Sequence, residues 1–320
     1  MRWWLLPVAA SIAAAGCVTH VPADARYRGP TSLPAALVAP FDAYAAPVVV
    51  AAEETLRERS GFTVRQVALA GHDDGKQPIE FEYYDVRAKA PTPVVVLLPI
   101  FNGQLIITRY FARYFANQGW RALVVMRDRD PLEQLDAPED AIRANLEDYR
   151  RVLDWVEQQH EIDPTRIGVF GISFGAMDAV MLTALDRRVD ALVAAMAGGD
   201  LAHLMLSTNY RRITRTVERL VDDDGMSREG LLETMEQRIV TDPLALAPYV
   251  DAQRVLLVLT RSDAIVPIES QEALRETMGD PETLYLPTGH RSSVVYFPLL
   301  RSSAFEFFER QFRGEVIAAR

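Results

Sequence analysis

The sequence predicts an α/β fold, a mostly parallel sheet of eight strands flanked by helices, and three observations carry that prediction. Strand-like and helix-like segments alternate from about Phe62 onward. Several strand-like segments, Pro93–Leu98 among them, are continuous Val and Leu runs, as strands buried on both faces are. Of the 320 residues, 49% are hydrophobic and 24% charged, which supplies a sizeable core without disulfides or metals. A formal net charge of -10 lacks the basic face that nucleic-acid phosphates require, so no nucleic-acid partner is expected. Cys17 is the single cysteine, which excludes an intrachain disulfide and a Cys-rich zinc site.

Residues 1–16 read as a signal peptide. Arg2 precedes Trp3-Trp4-Leu5-Leu6 and an Ala-rich apolar stretch, the order of a positive n-region, an apolar core and small residues at its end. The closing Ala14-Ala15-Gly16-Cys17 resembles the bacterial lipobox, with Ala14 where that motif usually has Leu. The resemblance implies lipidation of Cys17 as the mature N-terminus and a periplasm-facing lipoprotein of the cell envelope. The other reading is an ordinary signal-peptidase site at Ala13-x-Ala15, which leaves Cys17 a free thiol. An acidic body is repelled by anionic lipid, so the acyl chains would do the anchoring.

Residues 17–46, rich in Ala and Pro, are expected to form a tether that packs onto the body, and 47–320 the folded domain. Its strands are expected at Thr63–Ala70 and Ile79–Val86, on either side of a polar turn, then at Pro93–Leu98. A helix over Gln104–Gln118, ended by Gly119, leads to a strand at Trp120–Met126. Asp136-Ala137-Pro138-Glu139 starts the next helix, with a capping Asp, an early Pro and an acid at the third position. Ile142, Leu146, Tyr149, Leu153 and Val156 then share one helical face. Strands follow at Arg166–Ile172, Val189–Ala197, Arg254–Thr260 and Thr283–Leu286, with helices from Ala176, after Pro267 and from about Val294. A helical insert fills about 201–248. In such sheets ligands sit beyond the carboxyl ends of the strands.

Gly171-Ile172-Ser173-Phe174-Gly175 falls on one of those ends, between a strand and a helix. A sharp turn there brings strand and helix together, leaves no room for side chains at the two glycines, and presents the hydroxyl at a helix N-terminus. The Phe174 N–H, just after the serine, is placed to donate to a developing oxyanion.

The run Arg166–Gly175 resembles the nucleophile elbow of the α/β-hydrolase superfamily, and the order of elements resembles that fold from about residue 62 onward. Within it the chain is most similar to dienelactone-hydrolase and prolyl-oligopeptidase-like esterases. The resemblance implies Ser173 as nucleophile, His290 just past the last strand as base, and Asp263 as acid, in the loop Asp263-Ala264-Ile265-Val266-Pro267. The order Ser, Asp, His agrees with that superfamily. Of the five histidines, His203 is the alternative base, and Asp200 is the alternative acid. Many relatives carry H-G-F where this chain has Pro99-Ile100-Phe101, so the second oxyanion donor is expected from Phe101, with Asn102 the alternative.

The expected activity is cleavage of a small-molecule carboxylic ester through an acyl-enzyme, with no cofactor and no metal. A peptidase, amidase or thioesterase uses the same triad, and an idle binding lipoprotein on a hydrolase fold is the reading from a different class. The insert is expected to form a lid, with Leu201, Leu204, Met205 and Leu206 as candidate pocket residues. Arg211, Arg215 and Arg219 repeat every four residues beside Arg212. Such a stripe meets an anionic substrate or lipid headgroups, or is a solvated face paired with Glu218 and Asp222–Asp224. The oligomeric state is not legible.

Overall fold

Alternation within Pro93–Leu98 sets the middle of the molecule. Val94, Val96 and Leu98 pack into the hydrophobic layer on one face of a sheet, while Val95 and Leu97 pack into the layer on the other. A strand so enclosed exposes no edge to water and tolerates no polar side chain, which is why it reads as an unbroken apolar run.

A computed structural model describes residues 17–41, 47–71, 77–101, 103–127 and 138–314. In chain order the elements begin with β1 (Thr19–Val21), α1 (Ala35–Val38), β2 (Val50–Glu58), β3 (Phe62–Leu69), β4 (Ile79–Val86) and β5 (Thr92–Leu97). Next come α2 (Ile106–Asn117), β6 (Arg121–Val125), α3 (Pro138–Glu157), β7 (Ile162–Ile172), α4 (Phe174–Leu185) and β8 (Ala191–Ala195). The insert contributes α5 (Leu201–Ser207), α6 (Arg211–Asp224), α7 (Arg228–Arg238) and α8 (Pro243–Leu246). The chain returns through β9 (Val255–Thr260), α9 (Ile268–Met278), β10 (Glu282–Leu286) and α10 (Phe297–Phe312).

Among the described residues the sheet has ten strands, in the order β1-β10-β9-β8-β7-β5-β6-β4-β3-β2. From β10 to β6 every pairing is parallel, and the pairings of β4, β3, β2 and β1 are antiparallel. The expected mostly parallel α/β sheet is present, and its strand number is corrected from eight to ten, with one more strand at each edge. β2 is exposed along its whole length, so its sequence carries no alternation of apolar and polar residues. β1 is three residues long and lies inside the segment read as a tether. It exists through its pairing with β10, a contact no local pattern encodes.

Helices α3, α4, α8 and α9 cover one face, with Leu146, Leu153, Val180 and Leu274 in its core. Helices α2 and α10 cover the other through Phe111, Phe115, Phe307 and Phe308. The insert carries its own small cluster of Ala202, Val217, Leu231 and Met235. Strand order reverses around β5, which lies between β6 and β7, and ligand sites form at such switch points. The capping position Asp136 lies outside the described residues, and α3 itself begins at Pro138. Among the described residues no helix is long and apolar enough to cross a membrane.

Candidate active site

Ser173 follows β7 and precedes the first turn of α4 with φ 57° and ψ -126°. An L-residue held there is strained by about 1–3 kcal/mol, and such strain persists only where its surroundings fix it. The fixing contacts are backbone bonds: Ser173 N–H donates to Ala195 O at 2.8 Å, and Ala176 N–H to Ser173 O at 2.9 Å. The glycines have the expected reason. A Cβ on Gly171 would overlap the Gly175 carbonyl, and one on Gly175 would lie 2.7 Å from the carbonyl oxygens of both Leu98 and Pro99.

Asp263 sits in the loop after β9, where Ile265 and Val266 N–H donate to its Oδ1 at 2.9 and 3.0 Å. Thr260 Oγ1 donates to its Oδ2 at 2.7 Å, and the same oxygen accepts from His290 Nδ1, also at 2.7 Å. Burial would raise the Asp263 carboxyl, but the hydrogen bond and charge of His290, with Thr260 and Val266, hold it below the ordinary carboxylate range. The loop after β10 is drawn close as well, since a Cβ on Gly289 would lie 2.8 Å from Ser262 O. With Nδ1 engaged by the carboxylate, Nε2 is the imidazole nitrogen left to face a hydroxyl.

Ser173 and His290 line the same cavity, of about 500 Å³. Its other walls come from Ile100 and Phe101 after β5, Met196 after β8, Ile265 and Val266 after β9, and Val294 and Phe297 near the start of α10. The insert supplies Leu204, Thr208, Tyr210 and Ile213, so it walls the cavity. Of the other candidates there, Leu201 packs in the main core and Met205 and Leu206 within the insert. The Phe101 and Phe174 rings stack edge-to-face with centroids 5.3 Å apart. Neither of their N–H groups has a protein acceptor among the described residues. Asn102 lies outside the described residues.

The alternatives lie elsewhere. His203 Nδ1 pairs with Asp200 at 2.8 Å, and both side chains are more than two-fifths exposed. His20 pairs with Glu282 near the sheet edge. His160 is exposed, and His72 lies outside the described residues. No group of three or more His, Cys, Asp or Glu among the described residues is placed to hold a metal ion.

One part of the site was not read from the sequence. Arg127, just after β6, donates to Pro99 O at 3.0 Å, Ile100 O at 3.1 Å and Phe101 O at 3.4 Å. It also donates to Asp178 of α4 at 2.5 Å and to the Tyr149 hydroxyl at 3.3 Å, and that hydroxyl in turn donates to Asp178. Its guanidinium lies 4.6 Å from the centre of the Phe174 ring. Arg127 and Asp178 are each 2% exposed. Burial works against the charge on Arg127, and Tyr149 and Asp178 outweigh it, raising its pKa. One buried cation thus ties the loop after β5 to the helix that follows Ser173. The available signal was Asp178 itself, the single charged residue of a largely apolar α4.

A model of the X-Pro dipeptidyl-peptidase (S15 family) matches residues 137–226, a stretch that holds Ser173 and ends before Asp263 and His290. The acyltransferase drtE of Aspergillus calidoustus is 20% identical over 279 residues, 70% of this chain and 89% of the relative. A thiohydrolase of Eupenicillium brefeldianum is 22% identical, covering 67% of this chain and 86% of the relative. An acetyl xylan esterase from Paenibacillus sp. R4 superposes with a TM-score of 0.64 at 17% identity, over 85% of this chain and 90% of its own. The strand order, the strained serine on a strand-to-helix turn and the superposition agree on the architecture: the chain adopts the α/β-hydrolase fold.

Proposed function

We propose that this chain is a serine hydrolase that cleaves carboxylic esters through an acyl-enzyme. The observation that carries the reading is the 2.7 Å His290–Asp263 bond at the cavity that Ser173 also lines. Ser173 Oγ attacks the acyl carbon while His290 Nε2 takes its proton, and Asp263 holds the imidazole in the needed tautomer and stabilises its charge. The Phe101 and Phe174 N–H groups receive the oxyanion, and each such donor is typically worth about 10²–10³ in rate. Collapse of the tetrahedral intermediate expels the alkoxide, which leaves with the proton from His290. Water, deprotonated by the same imidazole, then releases the acid and restores Ser173.

Similarity to an acetyl xylan esterase, a thiohydrolase and an acyltransferase supports the ester reading, and the match to the X-Pro dipeptidyl-peptidase model is what supports the peptidase one. The apolar lining suits an acyl chain in the cavity. Rapid mixing with 4-nitrophenyl butyrate tests the mechanism. The expected result is a burst of one nitrophenolate per chain with a butyryl group on the Ser173 peptide, and an acyl group found on another residue refutes it.

The lipoprotein reading is part of the same proposal. Cys17 is exposed, and β1 begins at Thr19. An acyl anchor on Cys17 would therefore hold the β1 edge of the sheet close to the bilayer. Cys17→Ser is expected to move the protein from the membrane to the soluble fraction, and unchanged retention contradicts the anchor.

A further inference from the structure

Five arginines gather at the mouth of the Ser173 cavity. Arg211, Arg212, Arg215 and Arg219 of α6 line an open groove together with Arg291, the residue after His290. The groove and the cavity share Tyr210 and Arg291, so they are continuous. Phe101 marks the junction, with its ring 5.6 Å from that of Tyr210 and 6.0 Å from the Arg212 guanidinium. Among the described residues, no carboxylate lines the groove. Among the described residues, Arg211, Arg215, Arg219 and Arg291 have no ion-pair partner, although the chain as a whole carries a net charge of -10.

The charges on α6 also run against its own dipole. A helix is stabilised by acids at its N-terminus and bases at its C-terminus. Here Arg211 and Arg212 open the helix with no acid in the first turn, and Asp222-Asp223-Asp224 close it. That order does nothing for the helix, and it concentrates positive potential where the groove meets the cavity. Local rules broken this way accompany function.

We infer that the substrate is an ester whose leaving group carries an anion, a carboxylate, sulfonate or phosphate, held by this arginine rim while its acyl chain fills the apolar cavity. The inference rests on the esterase reading and specifies its substrate class. Guanidinium forks match such oxyanions, and a positive rim draws them to the mouth of the cavity.

The test pairs 4-nitrophenyl butyrate with 5-butyryloxy-2-nitrobenzoate, which adds a carboxylate to the same leaving group. The readout is the ratio of the two kcat/KM values, in which the neutral ester reports whether cavity and serine survive. In Arg215→Gln/Arg219→Gln the preference for the anionic ester is expected to fall at least about tenfold, mainly through KM. In the unaltered protein it is expected to shrink as salt is raised. A ratio unchanged in the double variant overturns the inference. So does an unchanged ratio with loss of co-sedimentation on phosphatidylglycerol vesicles, which reassigns the rim to lipid headgroups. If the unaltered protein hydrolyses neither ester, the esterase reading itself fails and takes this inference with it.

Discussion

Ser173→Ala is expected to lower kcat/KM for 4-nitrophenyl butyrate by about 10⁴- to 10⁶-fold, the usual cost of removing the nucleophile of a triad. The fold should survive, because the bonds that hold the turn are made by backbone atoms of Ser173 and Ala176 and by the Gly175 carbonyl packing, none of which needs the hydroxyl. The residual rate belongs to the cavity and the oxyanion donors, so adding His290→Ala to Ser173→Ala should cost little more. Independent losses that multiply would contradict a shared role. Ser173→Gly separates the strain from the chemistry. With no Cβ at φ 57°, it should raise Tm while turnover is lost. Thermal unfolding and ester turnover, measured on the same preparations, check both halves.

Arg127→Met is expected to destabilise the protein by about 3–5 kcal/mol, because it leaves the Asp178 carboxylate buried without its cation. It also removes the donors to the carbonyls of Pro99, Ile100 and Phe101, so kcat should fall at least about tenfold as the Phe101 N–H loses its position. The two effects separate in the double variant Arg127→Met/Asp178→Leu. Removing both charges should restore much of the stability, since replacing a buried ion pair by apolar side chains is often neutral or favourable. The carbonyls of the loop remain without their donor, so kcat should stay low. Urea unfolding gives the first quantity and steady-state kinetics the second. If kcat recovers together with stability, Arg127 serves the fold alone.

The contrast between those two residues explains what the sequence reveals. The sharp turn at Ser173 was legible because it is encoded locally: five consecutive residues specify a strand end, a turn and a helix start. The Val and Leu runs of β5 and β9 were legible for a similar reason, since burial on both faces imposes an apolar run. Asp263 and His290 were reached through the resemblance of their loops to those of the α/β-hydrolase superfamily, and the structure adds the backbone bonds that Ile265 and Val266 make to the Asp263 carboxylate. β2 left no trace, because a strand exposed on both faces carries no alternation, and Val50–Glu58 reads equally well as helix. β1 depends on β10, more than two hundred and fifty residues away in register. Arg127 and Asp178 escaped reading because their partnership joins a strand end to a helix interior, and only the folded sheet brings them together. The arginine stripe of α6 was visible, whereas its meeting with Arg291 at the mouth of the cavity was not.

An activated serine at the β7–α4 turn is the claim on which everything else depends, and labelling of the folded protein with a fluorophosphonate probe tests it most directly. The account predicts stoichiometric labelling at Ser173, mapped by peptide mass, and its loss in both Ser173→Ala and His290→Ala. Labelling of another residue, or labelling that persists without His290, would contradict it.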